Sequence, residues 1–138
     1  MQRIKLVNSV DEELALRGTL TADQVRSIEI DALVDTGATM LALPADVVER
    51  LGLRIAGHRN VRYADGRLAT IPWVGDVKIT ILGRETIVSA LVEAAGTTPL
   101  IGQVPLEELD LLVDPKSREL RVNPASPDMP LLDLLGAV

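Results

Sequence analysis

The chain has 138 residues, no cysteine and a formal net charge of −6 at pH 7. Its length suits one domain with a real core, and the lack of cysteine excludes disulfides, zinc–thiolate sites and thiol nucleophiles. Arginines and lysines are spread along the sequence, so we expect no nucleic-acid surface, which needs a basic patch. Apolar residues make up 47% of the chain, with one Trp, one Tyr and no Phe. Runs of β-branched residues broken by Gly and Pro favour an all-β fold of short strands.

The N-terminal stretch MQRIKLVNSVDEE reaches acidic residues before any apolar run of signal-peptide length. No run in the sequence approaches membrane-spanning length either. We therefore expect a cytoplasmic protein that has no membrane partner.

The first third of the chain predicts strands followed by a helix. The predicted strands are RIKLV (3–7), ELALRGTLT (13–21) with a turn at its glycine, and VRSIEIDALV (25–34), which enters the core. After a DTGA turn and the apolar TMLAL, Pro44 is predicted at the first position of a short helix, with Gly52 at its C-terminal cap. The apolar face of this helix is formed by Val47, Val48 and Leu51.

The rest of the chain predicts hairpins and a second short helix. In NVRYADGRLATIPWV (60–74), Asp65 and Gly66 predict a two-residue type I′ turn that places Tyr63 opposite Leu68. DVKITIL predicts a strand with Val77, Ile79 and Ile81 on one face. The later elements are a strand (85–94), a short buried strand PLIG (99–102), a helix VPLEELD (104–110) and a final hairpin (111–123). We expect one domain over 1–123, followed by a Pro-rich, then apolar tail over 124–138.

An acid stands where the third predicted strand enters the core. Asp35 follows ALV and precedes Thr36, Gly37, Ala38 and the apolar TMLAL. A carboxylate in apolar surroundings is unfavourable unless it is hydrogen-bonded, paired or protonated. Asp-Thr-Gly is also a good turn through the hydrogen bonds of the Asp side chain, so a purely structural role for Asp35 is the alternative.

The context of this motif resembles the retropepsin-like aspartic proteases, and especially their bacterial single-domain type. ALVDTGAT resembles the active-site loop, VRYADGRLATIPWV the flap hairpin, and PLIG followed by VPLEELDLLVD the apolar-apolar-Gly segment with its helix. These pieces span about 28–122. The resemblance implies a small closed β-barrel with one or two short helices that works as a homodimer.

The residues also suit hydrolysis without a metal or cofactor. Two carboxylates about 3 Å apart cannot both ionise, so they share one proton and can activate a water. The chain holds a single Asp-Thr-Gly, so the second Asp35 must come from a partner subunit on a two-fold axis. The resemblance implies that Thr36 hydrogen-bonds across this axis, while Gly37 and Ala38 support and line the site. It also implies that the flap residues Tyr63, Ala64, Asp65 and Gly66 cover the substrate.

We therefore expect an aspartic endopeptidase that takes peptide or protein substrates. The main alternative is a non-catalytic dimeric peptide-binding module on the same fold; a weaker one is a monomeric scaffold in which Asp35 only forms a turn. Tyr63 and Trp73 are expected either to touch the substrate or to pack as a cross-strand pair.

Other polar residues receive structural interpretations. His58 is expected in a solvated loop, and Asp110 and Asp114 as surface or cap acids. The acids near the second helix have no histidine beside them, so no metal site is expected. The stretch PLLDLLGAV (130–138) is interpreted as a dimer-interface segment, ahead of a self-cleavage target or a disordered end.

Overall fold

A computed structural model describes residues 1–134 of the chain, in which nine strands and three α-helices occur. In chain order they are β1 (Gln2–Asn8), α1 (Ser9–Leu16), β2 (Ser27–Val34), β3 (Leu41–Pro44), α2 (Ala45–Leu51), β4 (Ile55–Arg62), β5 (Leu68–Ile81), β6 (Arg84–Glu93), β7 (Leu100–Ile101), α3 (Gln103–Leu109), β8 (Leu111–Val113) and β9 (Leu120–Val122). A single 3₁₀ turn, Ala22–Gln24, precedes β2.

Six of the strands close into a ring. The hydrogen-bonded order is β1-β2-β7-β3-β6-β5, and β5 pairs back onto β1. β4 lies outside the ring, and among the described strands it pairs with β5 alone. β8 and β9 form a separate hairpin. The predicted all-β fold of a small closed barrel is confirmed.

One long strand joins the ring to the hairpin outside it. The first half of β5, up to Val74, pairs with β4. Its second half pairs with β1 and β6, and the pairing with β6 already begins at Trp73. The pairing with β6 shifts register between Val74 and Val77, and Asp76 there has a φ of +60°. Such a bulge bends a strand, so β5 can line the barrel and then leave it.

Aliphatic side chains fill the ring. Val77, Ile79 and Ile81 are fully buried, as their alternation predicted. Helix α2 buries its predicted face of Val47, Val48 and Leu51, and Gly52 caps it in the left-handed conformation. Its first residue is Ala45, so Pro44 is the residue before the helix, one position from the prediction.

The segment 13–21 is not a strand, and the prediction there is wrong. Helix α1 occupies Ser9–Leu16 because Asn8 caps it: the Asn8 Oδ1 accepts the N–H groups of Val10 at 3.0 Å and Asp11 at 3.1 Å. A side-chain oxygen at this position satisfies N–H groups that a helix start leaves free. The described chain thus has three α-helices, one more than the upper expectation of two.

The C-terminal part is irregular after the last strand. β9 ends at Val122, and residues 123–134 form neither helix nor strand. The apolar stretch 130–138 lies partly outside the described residues, and the domain boundary after 123 stays a prediction. None of the helices described within 1–134 has the length and apolar character needed to span a bilayer.

Candidate active site

Asp35 lies where β2 leaves the sheet. Its carboxylate Oδ1 accepts the N–H of Gly37 at 3.0 Å, and its carbonyl accepts the N–H of Ala38 at 3.1 Å. These hydrogen bonds close a turn around the Asp35 side chain, so Asp35 has the structural role in a turn that the sequence left open as an alternative. Asp35 is half-buried in the single chain rather than enclosed in the core, and this turn holds its carboxylate at the surface of the barrel.

The three residues after Asp35 differ in exposure. Thr36 and Gly37 are exposed and Ala38 is half-buried. A Cβ built at position 37 would lie 3.2 Å from the Asp35 Oδ1, which is tighter than ordinary van der Waals contact. Glycine therefore allows the backbone to approach the carboxylate closely.

The end of β7 and the two residues after it hold this loop in place. The Asp35 N–H donates to the Ile101 carbonyl at 3.0 Å, and the N–H of Gln103 donates to the Ala38 carbonyl at 2.9 Å. Between them lies Gly102, where a Cβ would be 2.5 Å from the Met40 carbonyl oxygen. The apolar-apolar-Gly segment identified in the sequence thus fixes the Asp35 loop through backbone contacts that only glycine permits.

The hairpin of β4 and β5 projects from the ring, and its turn differs from the prediction. The Gly66 N–H donates to the Tyr63 carbonyl, and the Tyr63 N–H to the Arg67 carbonyl, both at 2.9 Å. Gly66 has a φ of +84°, whereas Asp65 has no positive φ. A type I′ turn needs positive φ at both central residues, so the loop is a three-residue turn with the glycine at its end. Tyr63 therefore faces Arg67, and Leu68 pairs with Arg62.

The two aromatic residues of the hairpin are not a cross-strand pair, which corrects that alternative. Trp73 pairs with Gly57, whereas Tyr63 lies at the turn. Each ring carries a stacked guanidinium instead: Arg59 lies 4.7 Å from the Trp73 ring centre and Arg67 lies 4.4 Å from that of Tyr63. Arginine stacks on aromatic faces through cation–π attraction.

Two side-chain contacts join the hairpin to the barrel, in addition to the backbone pairing of Trp73 with Leu91 in β6. The Tyr63 hydroxyl donates to the Glu93 Oε1 at 2.8 Å, and this hydrogen bond is the main reason that the pKa of Tyr63 is raised. The Arg59 Nη1 lies 3.6 Å from the Met40 Sδ, in the loop that follows Asp35. The hairpin thus contacts both the end of β6 and the neighbourhood of the candidate catalytic loop.

A groove of about 760 Å³ begins at Thr36 and runs along α3 and β8 to the tail. Asp110, the left-handed cap of α3, holds the tail in place. Its carboxylate accepts hydrogen bonds from the Ser126 hydroxyl, from the Asn123 Nδ2 at 3.0 Å and from the Leu131 N–H at 3.0 Å. These bonds lower the pKa of Asp110 to about 2, the Ser126 hydroxyl contributing most. Asp110 is therefore a cap acid, as predicted.

The remaining polar predictions have mixed outcomes. His58 is exposed, but it lies within β4, opposite Pro72, rather than in a loop. Asp114 accepts the N–H groups of Lys116 and Ser117 in the turn between β8 and β9, as a cap acid does. Within residues 1–134, no three His, Cys, Asp or Glu side chains are grouped as metal ligands would be.

Sequence reasoning did not identify Arg59, Arg67 or Glu93. The three-residue turn places Arg67 opposite Tyr63, so the contact between these two residues could have been predicted from the hairpin sequence with the correct turn length. Glu93 lies 30 residues from Tyr63 in sequence, and no local pattern connects the two. These contacts depend on how the hairpin folds against the ring.

The closed aliphatic ring, with an Asp-Thr-Gly turn that rests on a Leu-Ile-Gly segment, defines the class of the retropepsin-like aspartic proteases. The family model described as gag-polyprotein putative aspartyl protease matches residues 23–108. This match includes the Asp35 loop, the hairpin and all but the last residue of α3, and the chain belongs to this family. No curated protein matches the chain.

Proposed function

We propose that the protein is an aspartic endopeptidase that works as a homodimer, with Asp35 of each subunit as the catalytic residue. The observation that carries the proposal is the Asp35 turn, in which the Gly37 N–H and the backbone of Ile101 fix the half-buried acid at the end of β2. A fixed carboxylate that is accessible from solvent suits acid–base catalysis better than a role in the core.

The proposed mechanism needs two copies of this acid. At an interface where the two carboxylates approach to about 3 Å, one proton is shared between them. The ionised member takes a proton from a water, and the oxygen of that water attacks the peptide carbonyl carbon. The protonated member donates to the carbonyl oxygen, which gives a tetrahedral diol. The acid that took the water proton then passes it to the peptide nitrogen, one hydroxyl of the diol returns its proton to the other acid, and the C–N bond breaks to release an amine and a carboxylic acid. No cofactor takes part in these steps.

Exposed apolar and polar groups along the groove that includes Thr36 support the two-fold assembly. Thr36 is exposed in the single chain and lies at the end of the groove beside α3. Along this groove, Leu112 is 39% exposed, Leu131 64% and Leu132 57%. Leucines exposed together favour burial against a partner. We propose that the Thr36 hydroxyl and this part of the tail both lie in the dimer interface.

The hairpin of β4 and β5 is proposed to cover the substrate, with Tyr63, Ala64, Asp65 and Gly66 at its tip. Three of these tip residues are exposed and Tyr63 is half-buried, so the tip is available for contact with a bound peptide. Two side-chain contacts of the hairpin support this proposal: Tyr63 bonds to Glu93, and Arg59 lies beside Met40 in the loop that follows Asp35.

A catalytically silent dimeric module that binds peptides remains the second candidate, because a fold hosts both functions. Incubating the purified protein with a diverse peptide mixture between about pH 4 and 8, where a shared-proton pair titrates, separates the two. Cleavage by the wild type and none by Asp35→Asn supports the protease. Peptide binding by both proteins without cleavage supports the binding module. The cytoplasmic location expected from the sequence stays a prediction.

A further inference from the structure

We infer that the hairpin of β4 and β5 selects acidic peptides, because it presents two positioned arginines to the substrate cleft. This inference rests on the proposed function, since it names the substrate class of the same site. The four arginines and one aspartate of segment 54–73 give it a formal charge of +3, whereas the whole chain carries −6. The hairpin is therefore a basic element on an acidic protein, and its field favours anionic ligands there.

The pairing of the strands assigns the arginines to different faces. Cross-strand partners share a face, so Arg59, Tyr63, Arg67 and Trp73 lie on one face, which we call the inner face. The aromatic rings on the inner face are half-buried, and its Tyr63 and Arg59 contact the barrel at Glu93 and Met40. Arg62 lies on the opposite face and is exposed.

Stacking gives the two inner arginines fixed positions without neutralising them. Arg59 rests on Trp73 and Arg67 on Tyr63, the only tryptophan and the only tyrosine of the chain. None of the hairpin's arginines forms a salt bridge with the residues that the structure describes. Two acids lie near the tip: Glu93 accepts the Tyr63 hydroxyl, and the Asp65 carboxylate accepts the backbone N–H of Arg67 at 2.9 Å. Among the described residues, neither acid forms a salt bridge with Arg59 or Arg67.

A guanidinium that stacks through its face keeps its N–H groups at the edge free. The N–H groups at this edge match the two oxygens of a carboxylate. Because the stacked side chain is already ordered, it loses less conformational entropy when the peptide binds. An acidic peptide therefore gains two charge-assisted hydrogen bonds, whereas a basic peptide meets like charges. Peptides are favoured over nucleic acids because the chain belongs to a protease family and both arginines are on the face that contacts the barrel.

The test uses the full-length Asp35→Asn variant, so that binding is measured without cleavage. Fluorescence anisotropy at pH 6 and low salt compares three labelled peptides that differ only in two positions, which hold Glu, Gln or Lys. We expect the Glu peptide to bind at least about fivefold more tightly than the Gln peptide, and the Lys peptide most weakly.

Arg59→Gln and Arg67→Gln in this background should each remove most of that preference. Arg62→Gln is the matched control, because it removes the same charge from the opposite face, and it should retain the preference.

Equal binding of the Glu and Gln peptides would overturn the inference, and so would a loss of the preference in Arg62→Gln as large as in Arg59→Gln. A single-stranded oligonucleotide that binds more tightly than the Glu peptide, with an affinity that falls in Arg59→Gln, would also overturn it. Arg59→Lys and Arg67→Lys, which keep the charge and lose the planar edge, should retain only part of the preference. Circular dichroism confirms that each variant is folded. Cleavage of a mixed peptide pool by the wild type is measured separately. Cleavage without acidic preference rejects only the inference, and preference without cleavage rejects only the protease.

Discussion

Gly102 and Met40 approach so closely that no side chain fits between them. A Cβ at position 102 would lie 2.5 Å from the Met40 carbonyl oxygen and 2.8 Å from the Met40 nitrogen. The neighbouring atoms are backbone and cannot rotate away, in contrast to the end of a flexible side chain. The position of the loop that contains Asp35 thus depends on the absence of a side chain 67 residues later in the sequence.

This contact predicts that Gly102→Ala is severely destabilising. Backbone has to shift to admit the methyl group, so we expect a loss of about 3 kcal/mol or more in the free energy of unfolding, measured by urea denaturation. Gly75→Ala is the matched control, because its Cβ would find only ordinary contact, 3.9 Å from the Trp73 ring. Equal stability of the two variants would show that the loop does not depend on Gly102.

Asp35→Asn should abolish cleavage and leave a folded protein. In the wild type the Asp35 Oδ1 accepts the Gly37 N–H at 3.0 Å, and the side-chain oxygen of asparagine can accept the same N–H. Asparagine cannot, however, take a proton from water. Peptide cleavage followed by mass spectrometry measures the activity, and circular dichroism measures the fold. If Asn at position 35 unfolds the protein at every pH, Asp35 is a structural turn residue and the proposed function is wrong.

The proposed dimer gives Thr36 a specific role. If its exposed hydroxyl bonds to the partner loop, Thr36→Val should leave that partner unsatisfied and weaken the dimer by about 1–3 kcal/mol, which is about 5- to 150-fold in dissociation constant. Thr36→Ser keeps the hydroxyl and should have a small effect. Sedimentation equilibrium of the 14.8 kDa chain measures both.

A wild type that stays monomeric at all working concentrations, with a substrate analogue present, would contradict the two-subunit mechanism. Equal dimer affinity of Thr36→Val and Thr36→Ser would contradict only the role of the hydroxyl.

The sequence was sufficient where local patterns decide the structure. Alternation predicted the buried face of Val77, Ile79 and Ile81. Turn and cap chemistry also predicted the glycines at positions 52 and 66, which both have a positive φ. These features depend on neighbours that lie close along the chain.

The sequence was not sufficient where a neighbouring segment or the choice between two turns decides the local structure. The segment 13–21 has strand-like character, but the side chain of Asn8 caps a helix that begins before it. The three-residue turn moved Tyr63 opposite Arg67, because an Asp-Gly pair fits both a two-residue turn and the end of a longer one. The arginines of segment 54–73 are visible in the sequence, but only the pairing of β4 with β5 shows that Arg59 and Arg67 share a face and that Arg62 lies on the other.

Asp110 predicts how stability depends on pH. Its pKa is lowered from 3.8 to about 2 in the folded protein, so its ionised form stabilises the fold above pH 4, and this contribution is lost as the pH falls from about 4 to about 2. Asp110→Asn should therefore be less stable than the wild type at pH 7, and the difference should shrink as the pH approaches 2. Asparagine tolerates the left-handed conformation at this position, so the backbone contributes little to the difference.

Urea unfolding at several pH values measures this effect. The contact is expected to influence global stability, because the buried Arg84 donates to the carbonyls of Leu109 and Ser126 and so joins the tail to the barrel. Asp128→Asn, at an exposed position of the same tail, is the matched control and should show no such dependence. A constant difference between Asp110→Asn and the wild type from pH 7 to pH 2.5 would contradict the role of the ionised carboxylate.

The Tyr63–Glu93 hydrogen bond should hold the tip of the hairpin against the barrel. Tyr63→Phe removes the hydroxyl that donates at 2.8 Å and keeps the ring on which Arg67 stacks. A hydrogen bond at a half-exposed position contributes about 1 kcal/mol, so amide hydrogen exchange at Tyr63 and Gly66, whose N–H groups close the turn, should become about fivefold faster. Because the pKa of Tyr63 is raised, the hydroxyl remains a donor throughout the neutral range.

A double-mutant cycle with Glu93→Ala separates this contact from a general loosening of the hairpin. Glu93→Ala alone should accelerate exchange at the tip about as much as Tyr63→Phe does, and the double variant should exchange no faster than either single variant, because each change removes the same bond. Arg62→Gln, at an exposed position of the same hairpin, should leave the exchange rates unchanged. Additive effects in the double variant would mean that Tyr63 and Glu93 act independently, and would contradict the role of their hydrogen bond at the hairpin tip.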